Sequence, residues 1–212
     1  MKKINLIVIT FFILFNNFIF LNLYAQIKNV IVVKVGSSLI TSVDVENEII
    51  TNLIVNKLEV TQENINKNKN FAIKNLIKKR IKRSEINIYK IKDYNKQDLI
   101  NYAENIAKNL DTNSNGLKEI FNQYNVNYEI FIEKHETDLL WNTLIFKLYQ
   151  NQTNVNIIEV DNEFEKFKEN KTEDELKLLK KNILNKKKED KLNLFSRSHF
   201  SNLENTVVVS FQ

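Results

Sequence analysis

Cysteine and proline are absent from this sequence, and glycine occurs only twice, at Gly36 and Gly116. Without cysteine neither a disulfide nor a thiolate metal site can form, so packing alone must hold the fold. Without proline, and with so little glycine, tight turns must be few, which disfavours barrels and sandwiches and leaves helix as the dominant element. Histidine is scarce too. His135 and His199 stand far apart, giving neither metal-ligand spacing nor a base beside a nucleophile. The acids are scattered along helix faces with no isolated pair. The sequence therefore offers no catalytic constellation, and neither an enzymatic activity nor a cofactor is expected.

What is present begins with a leader. Lys2 and Lys3 precede an apolar run from Ile4 to Phe20, interrupted by Asn16 and Asn17, and Leu23-Tyr24-Ala25 ends on a small residue suited to signal peptidase. Residues 1–25 read as a secretory signal peptide, with an uncleaved membrane anchor as the other reading. Either way residues 26–212 are exported and form a single domain. Removing Lys2 and Lys3 lowers the basic residues from 31 to 29 against 26 acids, leaving +3. So small a bias is no nucleic-acid footprint.

The chain is organised around Val30 to Ile49. Val30-Ile31-Val32-Val33-Lys34-Val35 suits a strand, Gly36-Ser37-Ser38 ends it, and Thr41 with Asp44 reads as the cap of a helix from Ser42 to about Lys57. A strand needs a partner, and the other β-branched run after the leader is Thr206 to Phe211, so the two ends should pair. Everything between reads as helix. Val60 to Asn64 is a connection, and a helix from Phe71 carries Ile73, Leu76, Ile77 and Ile81 on one stripe. Its other face bears Lys78, Lys79, Arg80, Lys82 and Arg83, read as a solvated flank with attraction to anionic lipid or substrate as the alternative. Asn87 to Ile91 has an extended pattern.

Further helices follow from Asn95 to Leu110, from Leu117 to Tyr124 after the loop Asp111 to Gly116, and from Tyr128 to about Gln150. The last is apolar over much of its circumference, so it must pack on several sides or leave a face open. Asn156 to Val160 reads as extended, Asp161 as a cap, and Thr172 with Glu175 as the capping box of a long closing helix. Asn202 to Asn205 turns into the final strand.

The strand-turn-helix with Leu39-Ile40-Thr41 and Asp44 resembles the opening of the SurA-type periplasmic chaperones. The likeness continues through Asn105-Ile106-Ala107-Lys108, Leu117 to Tyr124, Val126 to Phe131, Val155 to Phe167, and the closing segment Lys180 to Phe211. It departs at Lys168 to Lys171, where the family usually carries parvulin-type prolyl isomerase domains; a domain of that size is absent. The resemblance implies a mainly α, compact chaperone domain whose terminal strands pair, without isomerase activity. It implies an ATP-independent periplasmic holdase for unfolded outer-membrane β-barrel proteins or other exported polypeptides, working near a membrane. Tyr124, Tyr128, Phe131, Trp141 and Phe146 are the candidate peptide-binding groove, against the plain alternative that they fill the core. A membrane-anchored assembly subunit with one fixed partner is the rival function.

Overall fold

The computed structural model describes residues 29–212. The expected leader, residues 1–25, lies outside them. Among the described residues no helix is long and apolar enough to cross a membrane.

The fold is mainly α, with a small antiparallel sheet made by both ends of the domain. Strand β1 (Ile31–Val35) turns through Gly36-Ser37 into β2 (Ser38–Thr41), so the expected strand is in fact a hairpin. Gly36 has φ of +57°, the glycine-favouring conformation that a two-residue hairpin turn needs at its first central position. On the other edge of β1 lies β3 (Val209–Phe211), which pairs Val33 with Phe211 and Val35 with Val209. The expected pairing of the ends therefore holds, and it is antiparallel.

Helix α1 (Ser42–Val55) follows β2 directly. Thr41 Oγ1 accepts from Asp44 N–H at 3.2 Å, while Asp44 Oδ2 accepts from Thr41 N–H at 2.8 Å, completing the capping box. Helix α2 (Gln62–Ile88) starts nine residues earlier than the stripe at Phe71 indicates, and it takes in Asn87 and Ile88, the first two residues of the stretch expected to be extended. Its polar first turns are held locally, by Thr61 capping Asn64 N–H and by the Glu63–Lys67 pair, with Ile65 touching the core. Helices α3 (Lys96–Asn109), α4 (Ser114–Gln123) and α5 (Tyr128–Tyr149) follow, with Asn95, Asn113 and Asn127 as their side-chain caps. The cap at Asn113 draws the second half of the expected loop into α4.

A short 3-10 turn (Gln150–Gln152) leads to α6 (Ile157–Phe167). Asn156 Oδ1 accepts from Ile158 N–H and starts this helix four residues ahead of the expected cap at Asp161, which pairs with Lys180 at 2.7 Å instead. Helix α7 (Glu173–Thr206) opens with the Thr172–Glu175 box and absorbs Asn202 to Asn205, leaving only three residues for β3. At 34 residues it is about 51 Å long. Its inner stripe, Leu179, Ile183, Leu192, Phe200 and Leu203, lies on α6 at one end and on α2 and α5 at the other.

Three apolar clusters fill the interior. The first lies under the sheet, where Val33, Val35 and Ile40 meet Val45, Ile49 and Leu53 of α1 and Leu76 and Ile81 of α2. The second joins Ile50 and Ile54 to Ile106, Leu117, Phe121 and Phe131. The third sets Ile86, Trp141, Leu144 and Ile145 against α7. Glu48 of α1 sits among them, 4 % exposed. Its Oε1 accepts from Lys134 Nζ of α5 at 2.7 Å, Asn75 Nδ2 of α2 at 3.2 Å and Asn52 Nδ2 at 3.1 Å. Lys134→Met would leave this carboxylate sheltered without its counter-charge. Because Lys134 is one-third exposed, we expect a loss near the lower end of the range for broken buried pairs, about 3 kcal/mol in urea unfolding. The double variant Lys134→Met, Glu48→Gln should recover much of it; no recovery would show that packing, not the charge, sets the cost.

Candidate functional site

Helix α5 carries four of the five candidate groove residues, and its geometry separates them. Phe131 and Trp141 lie about 15 Å apart along the axis, and Phe146 points about 140° away from Trp141. Phe131 is 1 % exposed and Trp141 2 %, whereas Phe146 is 51 % exposed. Tyr128 is half-buried, and Tyr124, the C-cap of α4, is 42 % exposed. Tyr128 and Phe131 share one aromatic group, Trp141 belongs to another, and Tyr124 and Phe146 stand at the surface. The five do not line a single groove.

The first group gathers where α3, α4 and α5 meet. Phe131 contacts Phe121 at 5.0 Å, Tyr102 at 5.5 Å and Tyr128 at 5.6 Å between ring centroids. His135, one turn on, stacks on Tyr102 at 3.7 Å. Burial pushes the His135 pKa down, against Asp138 and Asp98, which favour its charged form. Burial likewise raises the Tyr102 phenol, with Asp138 and Glu48 adding to it. These rings pack the domain.

The second group fastens α7 to the body. Trp141 Nε1–H donates to Ser196 Oγ at 2.8 Å, and its ring meets Phe200 edge-on at 6.1 Å. His199 bridges Tyr149 and Glu85, with Nδ1 2.8 Å from the phenol oxygen and Nε2 3.0 Å from the carboxylate. Phenol, imidazole and carboxylate are thus joined in a row through both imidazole nitrogens, with the His199 and Glu85 side chains largely sheltered from solvent. The Tyr149 ring is also stacked on Phe195 at 4.8 Å. The arrangement works as a clasp between α2, α5 and α7. Among the described residues no group of His, Cys, Asp or Glu could hold a metal ion.

The basic run of α2 is largely turned inward. Lys79 and Arg83 reach Glu133 at 3.4 and 2.7 Å, and Lys82 reaches Asp138 at 2.6 Å, so these cations bind α5 rather than a solvated flank. Burial lowers the Lys79 pKa while Glu133 supports its charge. The cleft between the two helices, about 180 Å³, has Lys78, Lys79, Lys82 and Lys134 on its walls beside Asp138. Among the described residues, all of these lysines except Lys78 are in ion pairs.

The apolar surface that the sequence reading missed lies on an arm made by α6 and the first half of α7. Helix α6 packs chiefly on α7, with Val160 and Ile183 the buried apolar residues of the two and the Lys180–Asp161 and Lys187–Glu163 pairs joining them. Ile157, Ile158, Phe167 and Leu178 remain exposed. Read as a helix, the Ile157-Ile158 pair held the signal. Ile158 lies about 160° around the axis from the buried Val160, so it cannot share that seam. No protein-family model matches this chain, and no curated protein matches it.

Phe131→Ala and Trp141→Ala should each cost about 3–5 kcal/mol in denaturant unfolding, because each empties a packed site. Phe146→Ala should stay within about 0.5 kcal/mol; equal losses at all three would contradict the division between core and surface. A pH effect follows from His135. With its folded pKa depressed, the unfolded chain takes up the proton first as pH falls below about 6.5, so stability falls through that range until the folded imidazole also protonates. Replacing it by His135→Gln should lessen the loss of urea midpoint between pH 7.5 and 5.5, and an unchanged loss would exclude His135 as a source.

Proposed function

We propose that this chain is an ATP-independent holdase of the periplasm, organised like the SurA-type chaperones but without prolyl isomerase activity. Its clients on this reading are unfolded outer-membrane β-barrel proteins and other exported polypeptides. The observation that carries the proposal is the α6–α7 arm. It holds together through a narrow seam and leaves Ile157, Ile158, Phe167 and Leu178 without cover. Exposed apolar groups cost solubility and recur where a protein meets apolar partners.

The chemistry suits transient capture. Each exposed residue offers little area by itself, but an extended client can touch the arm, Phe146 and Tyr124 at several points along its length. Linked weak contacts raise overall affinity while each still exchanges quickly. Charged side chains flank the apolar ones, as Lys180 and Lys187 do with Asp161 and Glu163, and they keep the empty protein soluble. Release then needs only a better partner for the client and no nucleotide. The connection from α6 to α7, residues 168–172, is a tight turn with Asn170 at φ +58°, so the isomerase domain of the resemblance has no counterpart there.

The test is suppression of aggregation. An unfolded outer-membrane β-barrel protein is diluted from denaturant, with light scattering followed in the presence and absence of residues 26–212. Suppression near an equimolar ratio is expected. A variant with Phe146→Ser, Ile158→Ser and Phe167→Ser should lose most of it while keeping the thermal midpoint. No suppression by well-folded protein would reject the holdase reading in favour of an assembly subunit with one fixed partner.

A further inference from the structure

Helix α6 is weakly held. Val160 is the buried residue among its eleven, and no residue of α6 is part of any of the three core clusters. A helix this short is marginal in water by itself, so α6 depends on what α7 offers it. That is a narrow stripe of α7, Leu176, Leu179, Ile183 and Lys187 at i, i+3, i+7 and i+11, of which Ile183 alone is buried. Lys180 and Asp161, paired across the seam, are each about half exposed, and a pair so open to water adds little. Few buried apolar contacts and a solvated outer face are the marks of a segment that opens ahead of global unfolding. Opening here spares the core and uncovers Val160, Leu179 and Ile183 beside Ile158, Phe167 and Leu178, which are already exposed.

The way α6 sits on α7 shows what the seam accepts. Val160 and Phe164 stand one turn apart, and the Lys180 ammonium lies 5.8 Å from the centre of the Phe164 ring. Asp161 and Glu163 reach Lys180 at 2.7 Å and Lys187 at 2.9 Å. On α7 the stripe from Leu176 to Lys187 is about 16 Å long. An extended chain spans that length in about five residues, and its alternate side chains set two or three groups along the stripe. The strands of an outer-membrane barrel carry apolar side chains at alternate positions, so an unfolded segment of one matches the stripe in both length and spacing.

We propose that α6 is a displaceable placeholder: it swings off α7, and an extended apolar segment of a client takes its place on the seam. This rests on the holdase reading and adds a covered, gated part to the exposed surface described above. Residues 153–156 and 168–172 keep α6 tethered at both ends, so Ile158 and Phe167 stay beside the bound segment. With no client present, α6 covers the stripe and so limits the apolar surface that the empty protein shows to its own copies. The client shifts a closed–open equilibrium that the seam already permits.

The experiment locks α6 in place. Asp161→Cys and Lys180→Cys are introduced together into residues 26–212, which hold no other cysteine, and are joined by a short bis-methanethiosulfonate that dithiothreitol removes. Hydrogen exchange is read first. In the unlinked protein the amides of Asp161 to Phe167 should exchange at least about a hundredfold faster than those of Phe131 to Leu144 in α5, and linking should slow them. The concentration that half-suppresses aggregation of an unfolded outer-membrane β-barrel protein should then rise at least about threefold on linking and return on reduction. Amides of α6 as slow as those of α5 would overturn the proposal. Undiminished suppression by linked protein whose α6 exchange has slowed would also overturn it, while leaving the exposed arm as the holdase surface. Absence of suppression in linked and reduced protein alike rejects the holdase reading itself, and the client leaves the seam with it.

Discussion

The structure depends on the pairing of β3 with β1. With no disulfide, the first and last segments of the domain are held together by a three-residue ladder and the side chains beneath it. Gly36 N–H donates to the carbonyl of Val208 at 2.9 Å and Gln212 N–H to that of Val32 at 3.0 Å, extending the ladder beyond the strand at both ends. So short a pairing is marginal by itself. It persists because α7 delivers it in place: Phe200, Leu203 and Val207 pack on the same cluster as Val33 and Val35. Most of the entropy of closing this long loop is met by helix packing along the way.

Helix α5 has the complementary task of joining clusters. One end packs Phe131 among the aromatic rings of α3 and α4, the other packs Trp141 under α7, and Lys134 between them ties Glu48 of α1. Breadth of apolar surface on α5 therefore reflects three sets of neighbours more than an open groove. The surface suited to transient contacts has moved outward, to the arm, where loss of an apolar side chain costs the core nothing. On the proposed reading, stability and client binding reside in different residues.

Much of this was legible from the sequence, and the misses have specific causes. The caps Thr41–Asp44 and Thr172–Glu175 marked true helix starts because each satisfies donors that no helix can satisfy internally. The β-branched runs at the two ends identify the sheet, but the turn expected over Gly36-Ser37-Ser38 leads into a second strand at Ser38 rather than directly toward the helix. Asparagine caused most boundary errors: Asn113 and Asn156 act as caps, and Asn202 and Asn205 lie inside a helix whose tertiary contacts outweigh their weak propensity. For the candidate site, the apolar breadth of α5 is legible in the sequence, and Phe131 and Phe146 both belong to it. The sequence does not say that α3 and α4 cover Phe131 and leave Phe146 open.

Photo-crosslinking tests most directly whether clients are held by the arm. A benzophenone amino acid is placed singly at Ile158, Phe167 and Phe146, and as a control at Lys34 on the outer face of the sheet, and each variant is mixed with an unfolded outer-membrane β-barrel protein before irradiation. The account predicts strong adducts from Ile158 and Phe167, an adduct from Phe146, and little from Lys34. Adducts of equal strength at all four positions, or none from the arm with a client that remains soluble, would contradict it.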